Sequence, residues 1–351
     1  KGPLNTSLRW ETTDQFNVGL DFGFWKNRLN FSANYYYKKT KDLLQNVSIP
    51  LSTGYSTMWT NFGHVTNKGF EFTANVVAID NKDWGLNFDG NISFNQNRIG
   101  GLNADQYATQ LWYGANEVFL QRNGLPIGTI YGYVEDGFYD NIAEVRADPI
   151  YSKVSKEEAQ RMIGEIKYVD RNGDNQITTE DRAVIGDTNP DFIYGLNANF
   201  RWKKLSLGLF FQGSQGNDIF NGNLTMIGMN SIGNVTREAY ENRWTPENAA
   251  NAKWPRITTA MTRDMKLSDR YVEDGSYFRL KTINLSYNFG SVCKGITDLS
   301  VFGTITNVFT LTNYSWFDPD VNAFGSDASR RGVDIFSYPN SRTYTIGFKL
   351  T

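Results

Sequence analysis

Apolar and polar residues alternate along residues 191–212, and only Lys203 and Lys204 interrupt the alternation. One set of positions carries large apolar and aromatic side chains, and the set between them carries small or polar ones. A repeat of two residues places the two sets on opposite faces of a β-strand, so this segment predicts two antiparallel strands joined by a tight turn. An apolar face in lipid and a polar face in water are typical of a transmembrane β-barrel.

The same alternation recurs elsewhere, and the predicted connections are short and long in strict turn. The further predicted strands are residues 13–24, 29–37, 69–77, 86–95, 276–289, 299–309 and 344–350. Transmembrane barrels have short periplasmic turns and long extracellular loops, so the pattern predicts four extracellular loops and a periplasmic C-terminus. Because an open sheet edge is not stable in lipid, the odd count of about nine strands predicts that further strands complete the sheet.

The longest connection, residues 98–190, exceeds ordinary loop length, so it is expected to carry structure and function of its own. Ser155 followed by Glu158 has the form of a capping box and predicts the start of a short helix. A second short helix is expected over residues 235–244, before Pro246. The predicted fold class is all-β: a transmembrane antiparallel β-barrel portion covering residues 1–351, with long extracellular loops that contain short helices.

Composition narrows the classes of function. The formal charge is −2 and no basic stripe is present, so no nucleic acid partner is expected. No apolar run approaches the ~20 residues of a membrane helix. The single histidine, His64, is expected in a loop and disfavours His-based catalysis, while the single cysteine, Cys293, is expected as a free thiol. A soluble β-sandwich, which also alternates, remains an alternative, although long insertions at every second connection are unusual there.

Residues 170–181 follow the calcium-binding loop scheme of the EF-hand. Asn175 stands where the scheme has glycine, and the last ligand is an aspartate, which is shorter than the usual glutamate. The motif predicts a structural Ca²⁺ ion that stiffens the long loop, and an Asx-rich turn without metal is the alternative. The predicted ligands are Asp170, Asn172, Asp174, the backbone carbonyl of Gln176, and Asp181.

Aromatic residues of the long connections are candidate contacts with a substrate or a partner, and packing of loop on loop is the alternative. They are Tyr55, Trp59, Trp112, Tyr113, Tyr314, Trp316 and Phe317. Asp318 and Asp320 flank Pro319, where aspartate is a turn former, so a glycosidase pair is disfavoured. Asparagine and aspartate on the inner face predict a hydrated lumen; these are Asn30, Asn34, Asn87, Asp89, Asn197 and Asn199.

Several blocks, spread in order over nearly the whole chain, resemble SusC/RagA-type TonB-dependent transporters of the Bacteroidetes outer membrane. They include WETTDQFNVGLDFGFWKNRLNFSANYYYKKTKDLL, NFGHVTNKGFEF, VDRNGDNQITTEDRAVIGDTNPDFIYGLN, RWTPENAANAKWPR, YVEDGSYFRLKTINLSYNF and NVFTLTNYSWFDPDV. The resemblance implies a 22-stranded barrel with an N-terminal plug, and the plug and the first strands have no counterpart in this sequence. The remainder of the barrel and the plug are therefore expected partners, together with membrane lipid.

The resemblance also implies a function: energy-coupled import of bulky nutrients, either oligosaccharide or peptide, across a Gram-negative outer membrane. It implies a SusD-like surface lipoprotein over the loops and a TonB–ExbB–ExbD complex reached through the plug. Two alternatives stay open: a barrel that binds or adheres without translocating, and a soluble carbohydrate-binding β-protein. An enzyme is the least supported class, because no acid–base or nucleophile arrangement stands out.

Overall fold

The computed structural model describes residues 3–108, 118–227, 234–258 and 266–351. Nine long strands form one antiparallel sheet in which strands that follow one another along the sequence are hydrogen-bonded neighbours. The all-β antiparallel fold class predicted from the alternation is therefore confirmed. The strands are β1 (Thr12–Phe24), β2 (Leu29–Lys41), β3 (His64–Asp80), β4 (Trp84–Gly100), β5 (Phe192–Trp202), β6 (Leu205–Gln215), β7 (Tyr277–Gly290), β8 (Leu299–Thr312) and β9 (Thr343–Leu350).

The strand register keeps apolar side chains on one face across the whole sheet, because directly opposed residues of antiparallel strands point to the same side. One row of opposed residues is apolar or aromatic in all nine strands: Phe24, Leu29, Val76, Phe88, Ala198, Leu209, Ile283, Ile305 and Tyr344. The adjacent row is almost entirely small or polar: Gly23, Asn30, Asn75, Asp89, Asn197, Phe210, Thr282, Thr306 and Thr343. We call the first side the outer face and the second the inner face.

Aromatic rings mark both ends of the apolar outer band. At the short turns, the rings of Trp84 and Trp202 stack with centroids 5.8 Å apart. Towards the long loops, the Tyr35 and Phe70 rings lie 5.0 Å apart, and Phe94 lies 5.6 Å from the ring of Phe192. Such belts are typical of side chains at the two membrane–water interfaces.

Strands β3 and β4 extend further towards the long loops than the alternation predicts. Each has 17 residues, and His64, which was expected in a loop, is the first residue of β3. In this extension the inner-face residues Val65 and Ile99 are apolar and buried, whereas the outer-face residues Lys68 and Arg98 are charged and exposed. In this extension the outer face becomes charged and the inner face partly apolar while strand pairing continues, so the alternation ends before the strands do.

The sheet is open. In the described part of the chain, β1 and β9 each pair along one side only, and all thirteen residues of β1 are exposed. A lipid-exposed sheet edge leaves backbone groups without hydrogen bonds, so both edges require neighbouring strands in a membrane.

Four long loops connect the strands at the end opposite the short turns: loop 1 (residues 42–63), loop 2 (101–191), loop 3 (216–276) and loop 4 (313–342). Their short strands are Leu44–Ser48, Thr57–Asn61, Gln106–Ala108, Phe119–Gln121, Thr129–Gly132, Glu135–Phe138, Ile166–Tyr168, Ala183–Asp187, Asp218–Asn221, Val272–Asp274 and Val333–Asp334. Their helices are α1 (Ile142–Ala147), α2 (Lys156–Met162), α3 (Gly222–Ile227) and α4 (Arg237–Glu241). The single-turn 3₁₀ helices are Leu51–Thr53, Pro149–Tyr151, Thr179–Asp181, Ala249–Asn251, Asp269–Tyr271 and Ala328–Arg330.

The two predicted helices are present, and local capping fixes where they begin. The Ser155 side chain accepts a hydrogen bond from the backbone amide of Glu158 at 3.0 Å, so α2 starts where the capping box predicts. Helix α4 is shorter than predicted and is capped by Thr236, whose hydroxyl accepts from the amide of Ala239. None of the helices in the described part of the chain has the length and hydropathy that a membrane span requires.

The opposite polarity of the two faces gives a direct test at the centre of the apolar band. We expect Ile283→Arg, on the outer face of β7, to lower the free energy of unfolding by about 2–4 kcal/mol, the cost of a cation in the middle of a bilayer. Asn284→Arg, one residue on and facing inward, is the matched control and should change it by less than about 1 kcal/mol. The measurement is urea unfolding of the intact barrel in lipid vesicles, and equal losses in both variants would contradict the assignment of the faces.

Candidate functional site: the inner face and the loop layer

The inner face near the short turns is polar and leaves room for another molecule. A cavity of about 520 Å³ lies there, lined in part by Asn87, Asn199, Arg201 and Asn284. The Arg201 guanidinium is fixed in place because it donates to the backbone carbonyl of Asn81 at 3.0 Å. The inner face is therefore polar here, with amide and guanidinium groups lining the cavity.

Towards the long loops, the inner face of β3 and β4 is covered by loop 2. Buried Val65 and Ile99 pack with Ile127 of loop 2. Asn97 of β4 accepts from the amide of Ile127 at 2.8 Å and donates to the side chain of Asn189 at 2.9 Å. Loop 2 thus lies against the inner side of the strands, over the polar surface rather than outside the sheet.

Loop 4 is held to the same inner side by an ion pair. Arg279 of β7 opposes inner-face Gln212 of β6 and is 1% exposed. Its Nη2 lies 2.5 Å from Oδ1 of Asp318, and its Nε donates to the Thr310 hydroxyl at 2.8 Å. The second oxygen of Asp318 accepts from the Asn340 amide at 2.8 Å. The ion pair therefore joins the barrel wall to both ends of loop 4.

Loops 2, 3 and 4 form one packed unit, which we call the loop layer. Its hydrophobic core takes Val118, Phe119 and Ile130 from loop 2, Phe220 and Tyr271 from loop 3, and Val333 from loop 4. A three-stranded sheet pairs Asp218–Asn221 with Val272–Asp274 and, in parallel, with Val333–Asp334. Because the three loops share one core, movement of any of them disturbs the packing of the other two.

Buried polar groups also join the loops. Arg270 of loop 3 lies 2.5 Å from a carboxylate oxygen of Glu135 in loop 2, and both side chains are at most 12% exposed. Glu273 of loop 3 accepts from the amide of Ser315 in loop 4 at 2.8 Å. A buried pair of this kind is costly to break on one side only, because it leaves an uncompensated charge behind.

The predicted contact residue Tyr314 lies inside the loop layer. It is 5% exposed, and its hydroxyl donates to Asp334 at 2.7 Å. Burial, and secondly the hydrogen bond to Asp334, raise the pKa of the Tyr314 hydroxyl well above its usual range. Tyr314 therefore packs loop on loop, which is the alternative that the sequence left open.

The other predicted aromatic contacts are placed differently. Phe317 is 68% exposed, and its ring meets that of Trp316 edge-on at 5.2 Å. The indole nitrogen of Trp316 is buried and has no hydrogen-bond partner among the described residues. Tyr55 and Trp59 are exposed on loop 1. Trp112 and Tyr113 lie outside the described residues.

The predicted calcium loop adopts an Asx-rich turn around its first three predicted ligands. The carboxylate of Asp170 accepts from the backbone amides of Gly173 at 2.7 Å and Asn175 at 2.8 Å. The side chains of Asn172 and Asp174 accept from amides two residues ahead. Asn175, at the position where the EF-hand has glycine, has a φ of 59°, in the left-handed region that asparagine tolerates.

Asp181 closes this loop through the backbone. It is completely buried, and its two oxygens accept from the amides of Arg171 at 3.0 Å and Thr178 at 2.7 Å. Burial alone would raise the pKa of Asp181, but the hydrogen bonds from Thr178 and Arg171 outweigh it and lower the pKa. Within the described ranges, no three or more His, Cys, Asp or Glu side chains are grouped as ligands of one metal ion.

Sequence reasoning did not single out Arg279, the residue that fixes loop 4. The signal that was present is its position: an arginine within a strand predicted to cross the membrane, where ionisable side chains are costly and point to a partner or a function. Its partner Asp318 was noted only as one of two carboxylates that flank Pro319. The structure assigns the pair instead to Arg279, with Asp320 at 3.6 Å from the second guanidinium nitrogen.

Residues 2–308 match the family described as "TonB dependent receptor-like, beta-barrel". The chain is 33% identical to "TonB-dependent receptor P26" of Formosa agariphila, over 99% of the chain and 35% of that protein. It is 28% identical to "TonB-dependent receptor SusC" of Bacteroides thetaiotaomicron, over 99% of the chain and 32% of that protein. The chain therefore spans about a third of the length of the curated relatives it matches.

Among solved structures, "Structure of the RagAB peptide transporter" matches 100% of this chain and 36% of that one, with a TM-score of 0.80 and 22% identity. At that identity the match supports the fold alone, and the fold it supports is the β-sheet described above. The chain belongs to the TonB dependent receptor-like β-barrel family and forms part of an outer-membrane barrel of the SusC/RagA type.

Proposed function

We propose that this chain is the barrel portion of an outer-membrane importer of bulky nutrients, either oligosaccharide or peptide. Its relatives are TonB-dependent receptors, and the solved structure that resembles it bears the name of a peptide transporter. The observation that carries the proposal is the position of the loop layer. Loops 2 and 4 are attached to the inner face of the strands, so they lie where a solute entering the lumen must pass.

The proposed partners follow from the two ends of the sheet. A SusD-like lipoprotein would meet the loop layer from outside the cell, where exposed Phe317, Phe336 and Tyr338 lie on loop 4. At the other end, the polar cavity beside Asn199 and Arg201 would receive part of a plug. That plug would be reached by a TonB–ExbB–ExbD complex. The remaining strands of the barrel would pair with β1 and β9.

We also propose that the chain itself carries out no bond chemistry. The two carboxylates that flank Pro319 face Arg279, so they are ion-pair partners instead of an acid and a base. The role of the chain would be to capture, position and admit the solute.

Uptake by intact cells tests the proposal. Cells that lack the full-length protein would be compared with complemented cells, on fluorescent oligosaccharides and on fluorescent peptides. We expect complementation to restore accumulation of one of the two classes, and a protonophore to abolish it, because import depends on energy from the inner membrane. Surface binding that is restored without accumulation would overturn import in favour of a barrel that only binds.

The ion pair between Arg279 and Asp318 gives a second prediction. We expect Asp318→Asn to weaken docking of loop 4 by about 3–5 kcal/mol, because the guanidinium stays buried with its charge uncompensated. Asp320→Asn is the matched control. Its carboxylate is 52% exposed and lies 3.6 Å from the guanidinium, so its loss should cost less than about 1 kcal/mol.

Hydrogen exchange of the loop 4 amides in the intact protein measures both variants. Asp318→Asn should speed exchange across loop 4 and at the packed strand Asp218–Asn221 of loop 3. Unchanged exchange in Asp318→Asn, or equal changes in the two variants, would contradict a docking role for the ion pair.

We further propose that residues 170–181 bind Ca²⁺, which would stiffen loop 2. The fit rests on the donor set: carboxylate or amide oxygens of Asp170, Asn172 and Asp174, and the carbonyl of Gln176, are the hard ligands that Ca²⁺ prefers. The oxygens of Asp170 and Asp181 accept one or two backbone hydrogen bonds each, which leaves lone pairs for an ion.

Calcium titration of the intact protein tests this site. We expect Asp174→Ala to weaken Ca²⁺ binding at least tenfold, since it removes a charged ligand, and Glu157→Gln on α2 of the same loop to leave it unchanged. Asp181→Asn should loosen the loop even without Ca²⁺, because backbone amides lose a charged acceptor. Thermal stability that is the same with Ca²⁺ and with a chelator would contradict a structural ion.

A further inference from the structure

The outer face changes character at one height along β2, β3 and β4. Apolar and aromatic residues face outward from Leu29 to Tyr37 in β2 and from Trp84 to Phe94 in β4, spans of about 9–11 residues, the length that crosses a bilayer at a tilt. Each strand then continues towards the long loops. The next outward positions in β2, β3 and β4 lie beyond the aromatic belt, at the level of lipid headgroups.

Cations occupy the first outward position beyond the belt in β2 and β3, Lys39 and Lys68, and the second such position in β4, Arg98. The register opposes Lys39 to Thr66, Thr66 to Arg98, and Lys68 to Tyr37 and Gln96. Lys39, Lys68 and Arg98 therefore lie on the same face as the aromatic belt. Lys68 is the diagonal neighbour of both Lys39 and Arg98, with Cα atoms about 7–8 Å apart, and Lys39 and Arg98 lie on either side of β3. We call these three residues the cation patch.

The protein neutralises the cation patch only in part, because Asp14 of β1 directly opposes Lys39 on the same face. Lys41, further along β2, forms an ion pair with Asp14 of β1 at 2.5 Å. By contrast, no carboxylate lies within 4 Å of the three patch cations among the residues described. Like charges on neighbouring strands repel one another, and the repulsion grows beside a low-dielectric lipid layer. A shared anion would remove that cost.

A cavity opens where the belt meets the patch. It has a volume of about 450 Å³ and is lined by Tyr35, Phe70 and Phe94 of the belt and by Lys68 and Arg98 of the patch. The cavity reaches around β4 to inner-face Asn95 and Asn97, and loop 2 completes its lining with two carboxylates. One of them, Asp187, already accepts from the backbone and side-chain amides of Asn189. The other is Asp191.

We propose that the cation patch and this cavity bind the anionic headgroup of an outer-leaflet lipid, with phosphate groups on the cations and acyl chains along the apolar band. The occupant must combine phosphate with hydrocarbon, because the charged and apolar surfaces adjoin on the face that lies in the membrane. Each cation near an anionic lipid surface contributes a few-fold in affinity. The site thus fixes the height of β2–β4 in the membrane, and with it the height of loops 1 and 2.

The test uses the intact protein in detergent, with lipid binding measured by native mass spectrometry. The probe is diphosphorylated lipid A, and inorganic phosphate is the competitor. We expect the triple variant Lys39→Gln, Lys68→Gln, Arg98→Gln to bind the probe at least tenfold more weakly. The matched control removes three cations at the short-turn end, Lys26→Gln, Lys82→Gln and Lys203→Gln, and should bind within twofold of the unaltered protein.

Two outcomes would overturn the proposal. One is equal probe binding in the two triple variants, which would mean that position on the outer face does not matter. The other is competition by inorganic phosphate at concentrations similar to those of the probe, which would assign the patch to free phosphate instead of a lipid. The readout does not involve a transported solute, so it is independent of whether import is the function.

Discussion

Backbone hydrogen bonding in hydrocarbon is the constraint from which the rest of this structure follows. Water is absent from the bilayer core, so every amide and carbonyl there must be satisfied by a neighbouring strand. The antiparallel ladder meets this requirement and fixes which residues share a face. The row through Leu209 can then be wholly apolar while the next row, through Asn197, is almost entirely small or polar. The two open edges, β1 and β9, are where the same requirement is left to other strands.

The constraint weakens outside the bilayer, and there the faces of the strands take new roles. On the inner face, the apolar side chains of Val65 and Ile99 are stable here because loop 2 covers them. On the outer face, the charged side chains of Lys68 and Arg98 are tolerated because they lie beyond the hydrocarbon of the bilayer. The same strands therefore continue beyond the bilayer, but there the outer face is charged and the inner face is partly apolar. Loop 2 packs against these apolar inner positions and therefore lies over the lumen.

The sequence predicted what depends on near neighbours in the chain. Alternation through Leu205 and Leu209 identified a strand, and the Ser155 capping box identified a helix start, because each signal is complete within a few residues. The start of β3 at His64 was missed because strands were identified by an apolar outer face, and the outer face is no longer apolar there. The ion pair of Arg279 with Asp318 could not be predicted, because the two residues are 39 positions apart and no local pattern determines the path of the loop that carries Asp318.

Residue type alone also failed to separate exposed loop aromatics from buried ones. Tyr314 and Phe317 are three positions apart in one loop, yet the first is buried against Asp334 and the second is exposed. The difference arises from the core shared by three loops, in which Val333 of loop 4 packs with Phe220 of loop 3. Tyr314 is held there by Asp334, which follows Val333 in the strand that pairs in parallel with loop 3. Only tertiary contacts thus distinguish a loop side chain that is buried from one that is exposed. A separate contact, the ion pair of Arg279 with Asp318, ties loop 4 to the barrel wall.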